Sequence, residues 1–200
     1  AEANLRAARP IAPGETYAVT ARIPLYSAVQ IRESPAYSPG PEGQMPSPDE
    51  SVPDLERYLQ LPRVPPRVGA LARRITADWE HPFDQAVAIE SYLRTMHYTL
   101  TPPPTPRGRD FVDFFLFDLQ EGYCTYYASA MVVMLRELGI PARFVEGFAI
   151  PSSAPFTLDS RGWYVYEARN SQAHAWVEAY FPGYGWVTFD PTPRADLPVI

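Results

Sequence analysis

Three observations along this 200-residue chain predict an α+β fold. Helical apolar spacing dominates the middle of the chain, and two-residue alternation dominates everything after Arg143. The strands follow one another instead of alternating with helices, so they read as an antiparallel sheet with the helices packed on it. A hydrophobic content of 46% over this length supports one main core with a small appendage.

Residues 15–22, Glu-Thr-Tyr-Ala-Val-Thr-Ala-Arg, alternate as an edge strand does, and residues 34–53 hold six prolines among Ser, Gly, Asp and Glu. Residues 1–54 therefore read as a strand with a proline-rich connection, and residues 55–200 as the main domain. Val68, Leu71, Ala72 and Ile75 predict a helix over 66–79. Ala86, Ile89, Leu93 and Met96 predict a second over 83–97, with His81-Pro82 at its start and His97 at its end, where the helix dipole suits it. Four prolines in residues 101–106 exclude both helix and central strand, and the following residues 111–117 are too apolar for exposure. A third helix begins near Tyr123 with an apolar stripe at Cys124, Tyr127, Ala128, Met131, Leu135 and Leu138, and stops at Gly139. Residues 144–150, 163–168, 173–180 and 186–190 are rich in aromatic and branched side chains and read as strands.

Composition excludes several function classes. A net charge of −6 with no basic stripe argues against nucleic acid as a partner. One cysteine forms no internal disulfide, and the scattered His81, His97 and His174 call for no metal and no cofactor. The apolar run 128–135 falls far short of the ~20 residues of a membrane span, and residues 1–30 lack a signal pattern, so this segment is expected to be soluble. All 17 basic residues are arginine, which reads as compositional bias.

The chemistry-bearing residues are few. Cys124 sits in the first turn of the third helix; His174 follows in Ala-His-Ala-Trp-Val-Glu, and Asp190 in Phe-Asp-Pro-Thr. Alone, each has an ordinary role: a small buried hydrophobe, a satisfied sheet histidine, a turn former. Together they are the inventory of nucleophilic acyl transfer. Residues 173–190 read as a hairpin with 174 opposite 190, 176 opposite 188, 178 opposite 186 and 180 opposite 184, around a loop at 181–183. Period-two alternation then sets His174 and Asp190 on one face, beside Trp176 and Trp186. A helix N-terminus contributes only ~0.3–1 kcal/mol to a thiolate, less than one pKa unit, so Cys124 needs an imidazolium beside it. Asp190 would hold that ring, and the Cys124 N–H would face the oxyanion of the acyl intermediate. Tyr123, Trp176 and Trp186 are candidate cleft walls for substrate. Glu178 is expected to face solvent or an arginine.

Gly122-Tyr123-Cys124-Thr125-Tyr126-Tyr127-Ala128, the run Leu135-Arg136-Glu137-Leu138-Gly139-Ile140-Pro141-Ala142-Arg143, His174-Ala175-Trp176-Val177-Glu178 and Gly185-Trp186-Val187-Thr188-Phe189-Asp190-Pro191-Thr192 together resemble the transglutaminase-like superfamily. The likeness is to its bacterial membrane-associated branch, is collinear over residues 55–193, and includes Tyr58-Leu59-Gln60-Leu61-Pro62 and Asp110-Phe111-Val112-Asp113-Phe114. It implies a papain-like core with the cysteine at the head of the central helix. By motif position Cys124 would be nucleophile, His174 general base and acid, and Asp190 the orienting residue. The implied reaction passes a glutamine acyl group from protein or peptide through a thioester to an amine or water. No calcium is implied, since nothing resembles the calcium-binding additions of animal members. The branch also implies an extracytoplasmic domain of a bacterial membrane protein, with cell-envelope substrates. A lysine-free chain would then be no acceptor for its own lysine-directed transfer. A cysteine peptidase or amidase with the same triad, and a binding domain without turnover, are the competing readings.

Overall fold

A computed structural model of the chain describes residues 26–36, 55–149, 156–158, 160, 162, 164–166 and 168–193. The strand expected at 15–22, most of the proline-rich connection, Trp163 and the division expected after residue 54 lie outside the described residues. Ser27 accepts the Gln30 N–H while the Gln30 side chain accepts the Ser27 N–H, a reciprocal cap that starts α1 (Ala28–Ile31). Ile31 enters the main core at 2% exposure. A 3-10 turn at Leu55–Tyr58 precedes α2 (Pro66–Ile75) and α3 (Pro82–Leu93). Proline opens both helices, where its missing N–H leaves no bond unmade. His81 caps α3 by accepting the Phe83 N–H at 3.1 Å, and its other ring nitrogen donates to the Ser34 carbonyl at 2.9 Å.

Both helices end about four residues earlier than apolar spacing predicts. Thr76 closes α2 by turning its hydroxyl onto the Ala72 carbonyl at 2.9 Å. After α3 the chain is taken into β1 (His97–Tyr98), which lies parallel to β2 (Glu121–Gly122). His97 N–H donates to Gln120 O at 3.1 Å and Thr99 N–H to Gly122 O at 2.8 Å. His97 therefore belongs to a strand and not to the end of a helix dipole. Between these strands, the apolar segment at 111–117 forms α4 (Phe111–Phe114) and a π-turn, with Phe115 and Leu116 buried. Asp110 caps α4, and buried Asp113 accepts both Arg67 and Arg109, tying α4 to α2.

α5 (Cys124–Glu137) is buried on nearly every side, at Tyr126, Tyr127, Ala128 and 130–135. Its apolar stripe understates this, because a helix with helices on one flank and a sheet on the other needs apolar residues all round. Gly139, at φ 76°, ends it: Gly139 N–H reaches Arg136 O and Ile140 N–H reaches Leu135 O, a left-handed glycine cap.

The strands that follow are β3 (Ala142–Phe148), β4 (Phe156–Leu158) and β5 (Tyr164–Tyr166), which pair with each other apart from the main sheet, and β6 (Ala173–Phe181) and β7 (Gly185–Phe189). β3, β6 and β7 are antiparallel in the order β3-β6-β7. Ala175, Val177, Ala179 and Phe181 join the core beneath α5, which leaves His174, Trp176, Glu178 and Tyr180 on the opposite face.

The hairpin register corrects the one expected from spacing. Phe181 pairs with Gly185, Tyr180 with Trp186 and Glu178 with Thr188, so the loop is 182–184 and the pairing is displaced by two residues. Pro182 followed by Gly183 at φ 86° closes a turn in which Tyr184 N–H reaches Phe181 O at 3.0 Å, and Gly185 adopts a second left-handed conformation at φ 80°. Continuing this register would place Trp176 across from Asp190. A two-residue displacement keeps parity, so His174 and Asp190 still share a face.

Candidate active site

Cys124 enters from α5. β1 and β2 deliver the chain to this point through Gly122, whose missing Cβ leaves room for the Tyr126 ring: a Cβ there would lie 2.6 Å from it. Tyr123 is the N-cap and makes no side-chain cap bond, so the first-turn N–H groups are not taken up by a capping side chain. The thiol is half-buried, and the His174 ring with the Ala175 and Thr125 N–H groups acts on it electrostatically.

His174 Nε2 lies 2.8 Å from Asp190 Oδ2, and both residues are buried, at 6% and 9% exposure. With a carboxylate at Nε2, that nitrogen carries the proton, and Nδ1 is the ring nitrogen open to the thiol. Thr192 N–H donates to Asp190 Oδ1 at 3.1 Å. The buried Thr192 hydroxyl also favours the ionised form of this carboxylate. From α3, Glu90 accepts the Asp190 N–H at 2.8 Å and Arg94 donates to the Asp190 carbonyl at 2.8 Å.

The electrostatics follow from this chain of contacts. Burial pushes the Cys124 thiol up, but the His174 bond, the Ala175 N–H, the imidazolium charge and the Thr125 N–H together bring it below its ordinary value. Burial lowers His174, yet its bonds to Asp190 and Cys124 and their charges raise it to about 9. Burial raises Asp190, and the His174 bond and charge with the Thr192 contacts hold it below the usual carboxylate range. Both shifts run in the direction that favours a thiolate beside an imidazolium.

The other predicted residues separate. Trp176 stacks beside His174, with ring centroids 6.3 Å apart and planes 26° from parallel, and its indole lies over Gly147. Tyr123 is next to Cys124 and packs edge-on against Tyr126 at 4.9 Å. Trp186 pairs with Tyr180, six residues along β6 from His174 and thus ~20 Å away at ~3.3 Å per residue. There it packs on Tyr58 at 4.7 Å and beneath Arg143 at 4.2 Å, so the structure removes it from beside His174, where the spacing had set it. Glu178 meets Arg143 at 2.6 Å, as expected of an acid facing an arginine. Gln120 Nε2 donates to the Leu116 carbonyl at 3.4 Å. Sequence reasoning missed Glu90 and Arg94; their i,i+4 spacing was the only signal they carried, and it does not mark a site.

A sequence model of the transglutaminase-like superfamily matches residues 69–191, a span that runs from α2 through β7 and includes all three members of the Cys-His-Asp cluster. The chain belongs to the transglutaminase-like superfamily. The uncharacterised protein YebA of Bacillus subtilis is 38% identical over 182 residues, 88% of this chain and 23% of that protein. A protein-glutamine gamma-glutamyltransferase of Pseudomonas aeruginosa is 42% identical over 141 residues, 68% of this chain and 20% of that protein. The crystal structure of the periplasmic domain of TgpA from Pseudomonas aeruginosa superposes with a TM-score of 0.56 at 39% identity, covering 68% of this chain and 46% of that one. The chain thus spans about a quarter or less of those curated relatives. Its transglutaminase-like fold is the papain-like arrangement of a central helix on an antiparallel sheet. Among the described residues no group of His, Cys, Asp and Glu could hold a metal ion, and no helix is long and apolar enough to cross a membrane.

Proposed function

We propose that this chain is the catalytic part of a protein-glutamine acyltransferase working through a Cys124–His174–Asp190 triad. The observation that carries the reading is the buried His174 ring, whose Nε2 lies 2.8 Å from Asp190 Oδ2 and whose presence helps bring the Cys124 thiol below its ordinary value. The Cys124 thiolate attacks the carbonyl carbon of a glutamine carboxamide, and the Cys124 N–H faces the developing oxyanion. The C–N bond then breaks as His174 passes its proton to the departing ammonia, leaving a thioester. A primary amine attacks that thioester, His174 takes the amine's proton, and the thiolate leaves; water in place of the amine gives deamidation. Asp190 stays ionised throughout and keeps the ring in the productive orientation. Tyr123 and Trp176, which flank the nucleophile and the imidazole, are assigned as walls of the substrate cleft.

The name of the Pseudomonas glutamyltransferase supports a glutamine acyl donor, and the periplasmic setting of TgpA supports an extracytoplasmic domain of a bacterial membrane protein with a protein or peptide substrate of the cell envelope. Incubation with casein and a fluorescent primary amine, with released ammonia measured in parallel, tests the reading. Amine incorporation abolished by Cys124→Ala is the expected result. Ammonia without incorporation would assign deamidation, and new peptide termini without ammonia would replace transfer with proteolysis.

A further inference from the structure

The acid of the triad is held by its backbone as well as by its side chain. Asp190 follows the last residue of β7 and precedes Pro191, outside the paired part of the sheet. No ladder bond fixes its peptide groups there. A pair of side chains one turn apart on α3 takes that place. Glu90 Oε1 accepts the Asp190 N–H at 2.8 Å, Arg94 Nε donates to the Asp190 carbonyl at 2.8 Å, and Arg94 Nη2 donates to Glu90 Oε1 at 3.2 Å. The three residues form a closed ring that leaves Asp190 neither donor nor acceptor free on the main chain.

The ring is costly to build for stability alone. Glu90 retains only 15% exposure of its side chain, in the neighbourhood of a second carboxylate, Asp190, which disfavours its charge. A hydrophobic residue at 90 would pack against the core with no such penalty, but it would leave the Asp190 N–H without a partner. The placement is explained by what it controls. Rotating the Asp190 peptide turns its Cα–Cβ direction and moves Oδ2 away from His174 Nε2, at the distance scale on which such a bond is lost.

We propose that Glu90 and Arg94 are positioning residues of the triad, which fix the Asp190 carboxylate against His174 by clamping the Asp190 backbone. This rests on the catalytic reading of Cys124, His174 and Asp190. Neither side chain touches substrate; both act through Asp190.

The test follows the rate of Cys124 alkylation by iodoacetamide against pH in the intact chain, beside kcat and KM for amine incorporation. Glu90→Ala and Arg94→Ala are each expected to raise the pH of half-maximal alkylation by about one unit, as His174 loses its aligned acid. The same variants are expected to lower kcat on the order of 10- to 100-fold while KM for the acyl donor stays within about twofold. Glu90→Gln keeps an oxygen acceptor for the Asp190 N–H and is expected to retain the wild-type midpoint. Ile89→Val, fully buried in the core on the same helix, serves as the control: it is expected to lower the melting temperature and leave the pH profile in place. A wild-type thiol titrating in the ordinary range would overturn the catalytic reading itself. A low wild-type midpoint that Glu90→Ala and Arg94→Ala leave unmoved would overturn only the clamp. Equal shifts in Glu90→Ala and Glu90→Gln would trace the effect to lost charge instead of the hydrogen bond, and would overturn it as well.

Discussion

The thiol of Cys124 acquires its chemistry from its neighbours. A helix N-terminus contributes only ~0.3–1 kcal/mol, and against the opposing effect of burial it is the His174 ring and the Ala175 and Thr125 N–H groups that bring the thiol down. His174→Ala is therefore expected to return Cys124 alkylation to the ordinary thiol range near ~8.5; a profile unchanged by that substitution would remove the ion pair. The pH dependence has two limbs of opposite sign. His174 is raised from 6.5 to about 9, so its stabilising contribution is complete below about 6.5 and is lost as pH climbs through about 9. Asp190 is lowered from 3.8, so its contribution is present above that value and is lost as pH falls through its depressed one. On the proposed mechanism the reaction uses both the thiolate and the imidazolium, and a bell with its alkaline limb near 9 is expected in kcat/KM. An activity still rising past pH 10 would contradict the pairing. Asp190→Asn keeps the shape and removes the charge, and is expected to lower kcat roughly 10²- to 10⁴-fold with His174 returning toward its ordinary value.

Two strands and two helices bring these residues together, and the contacts between the elements show which parts could be read beforehand. Gly147 pairs with His174 across β3 and β6, and a Cβ on it would lie 2.7 Å from the Trp176 ring. Gly147→Ala must push that indole off the sheet and out of its stack with His174. A loss of about 1–3 kcal/mol in urea unfolding is expected, together with a change in tryptophan fluorescence; a silent substitution would show that Trp176 does not need this place. Sequence alternation placed His174 and Asp190 on one face because the pleat preserves parity, which a two-residue error in register leaves intact. The register itself depends on left-handed Gly183 and Gly185, and spacing alone did not distinguish 181–183 from 182–184 as the loop. Trp186 was misplaced for that reason combined with strand length: sharing a face with His174 does not bring it near when the paired positions are ~20 Å apart. Glu90 could not be read at all, since its partner lies 100 residues away on another element and the bond exists only once α3 packs beside β7. The early ends of α2 and α3 have the same origin, because apolar spacing continued where a threonine side chain and a strand partner took over the backbone.

Among the described residues, one core serves the helices, the sheet and a short strap at residues 26–36. Ile31, at 2% exposure, shares that core with residues of α2, α3 and α5. Around it, Tyr26 donates to Trp186 O at 3.2 Å, Ser34 Oγ donates to Pro182 O at 2.7 Å, and His81 reaches Ser34 O at 2.9 Å. Residues 26–36 thus join the start of α3 to the turn of the β6–β7 hairpin, which are the two elements that meet at Asp190. Arg32 adds a forked contact to Asp84 at 2.8–3.1 Å, but its side chain is 46% exposed and water competes for it. The apolar anchor is therefore expected to dominate. Ile31→Ala removes a buried branched side chain and is expected to cost about 2–5 kcal/mol in urea unfolding, with one cooperative transition retained. Arg32→Ala is expected to change the midpoint far less. Were residues 26–36 a separate unit from residues 55–193, Ile31→Ala would leave the main transition where it was. Equal effects of the two substitutions would instead make the ion pair, and not the core, the part that holds the strap.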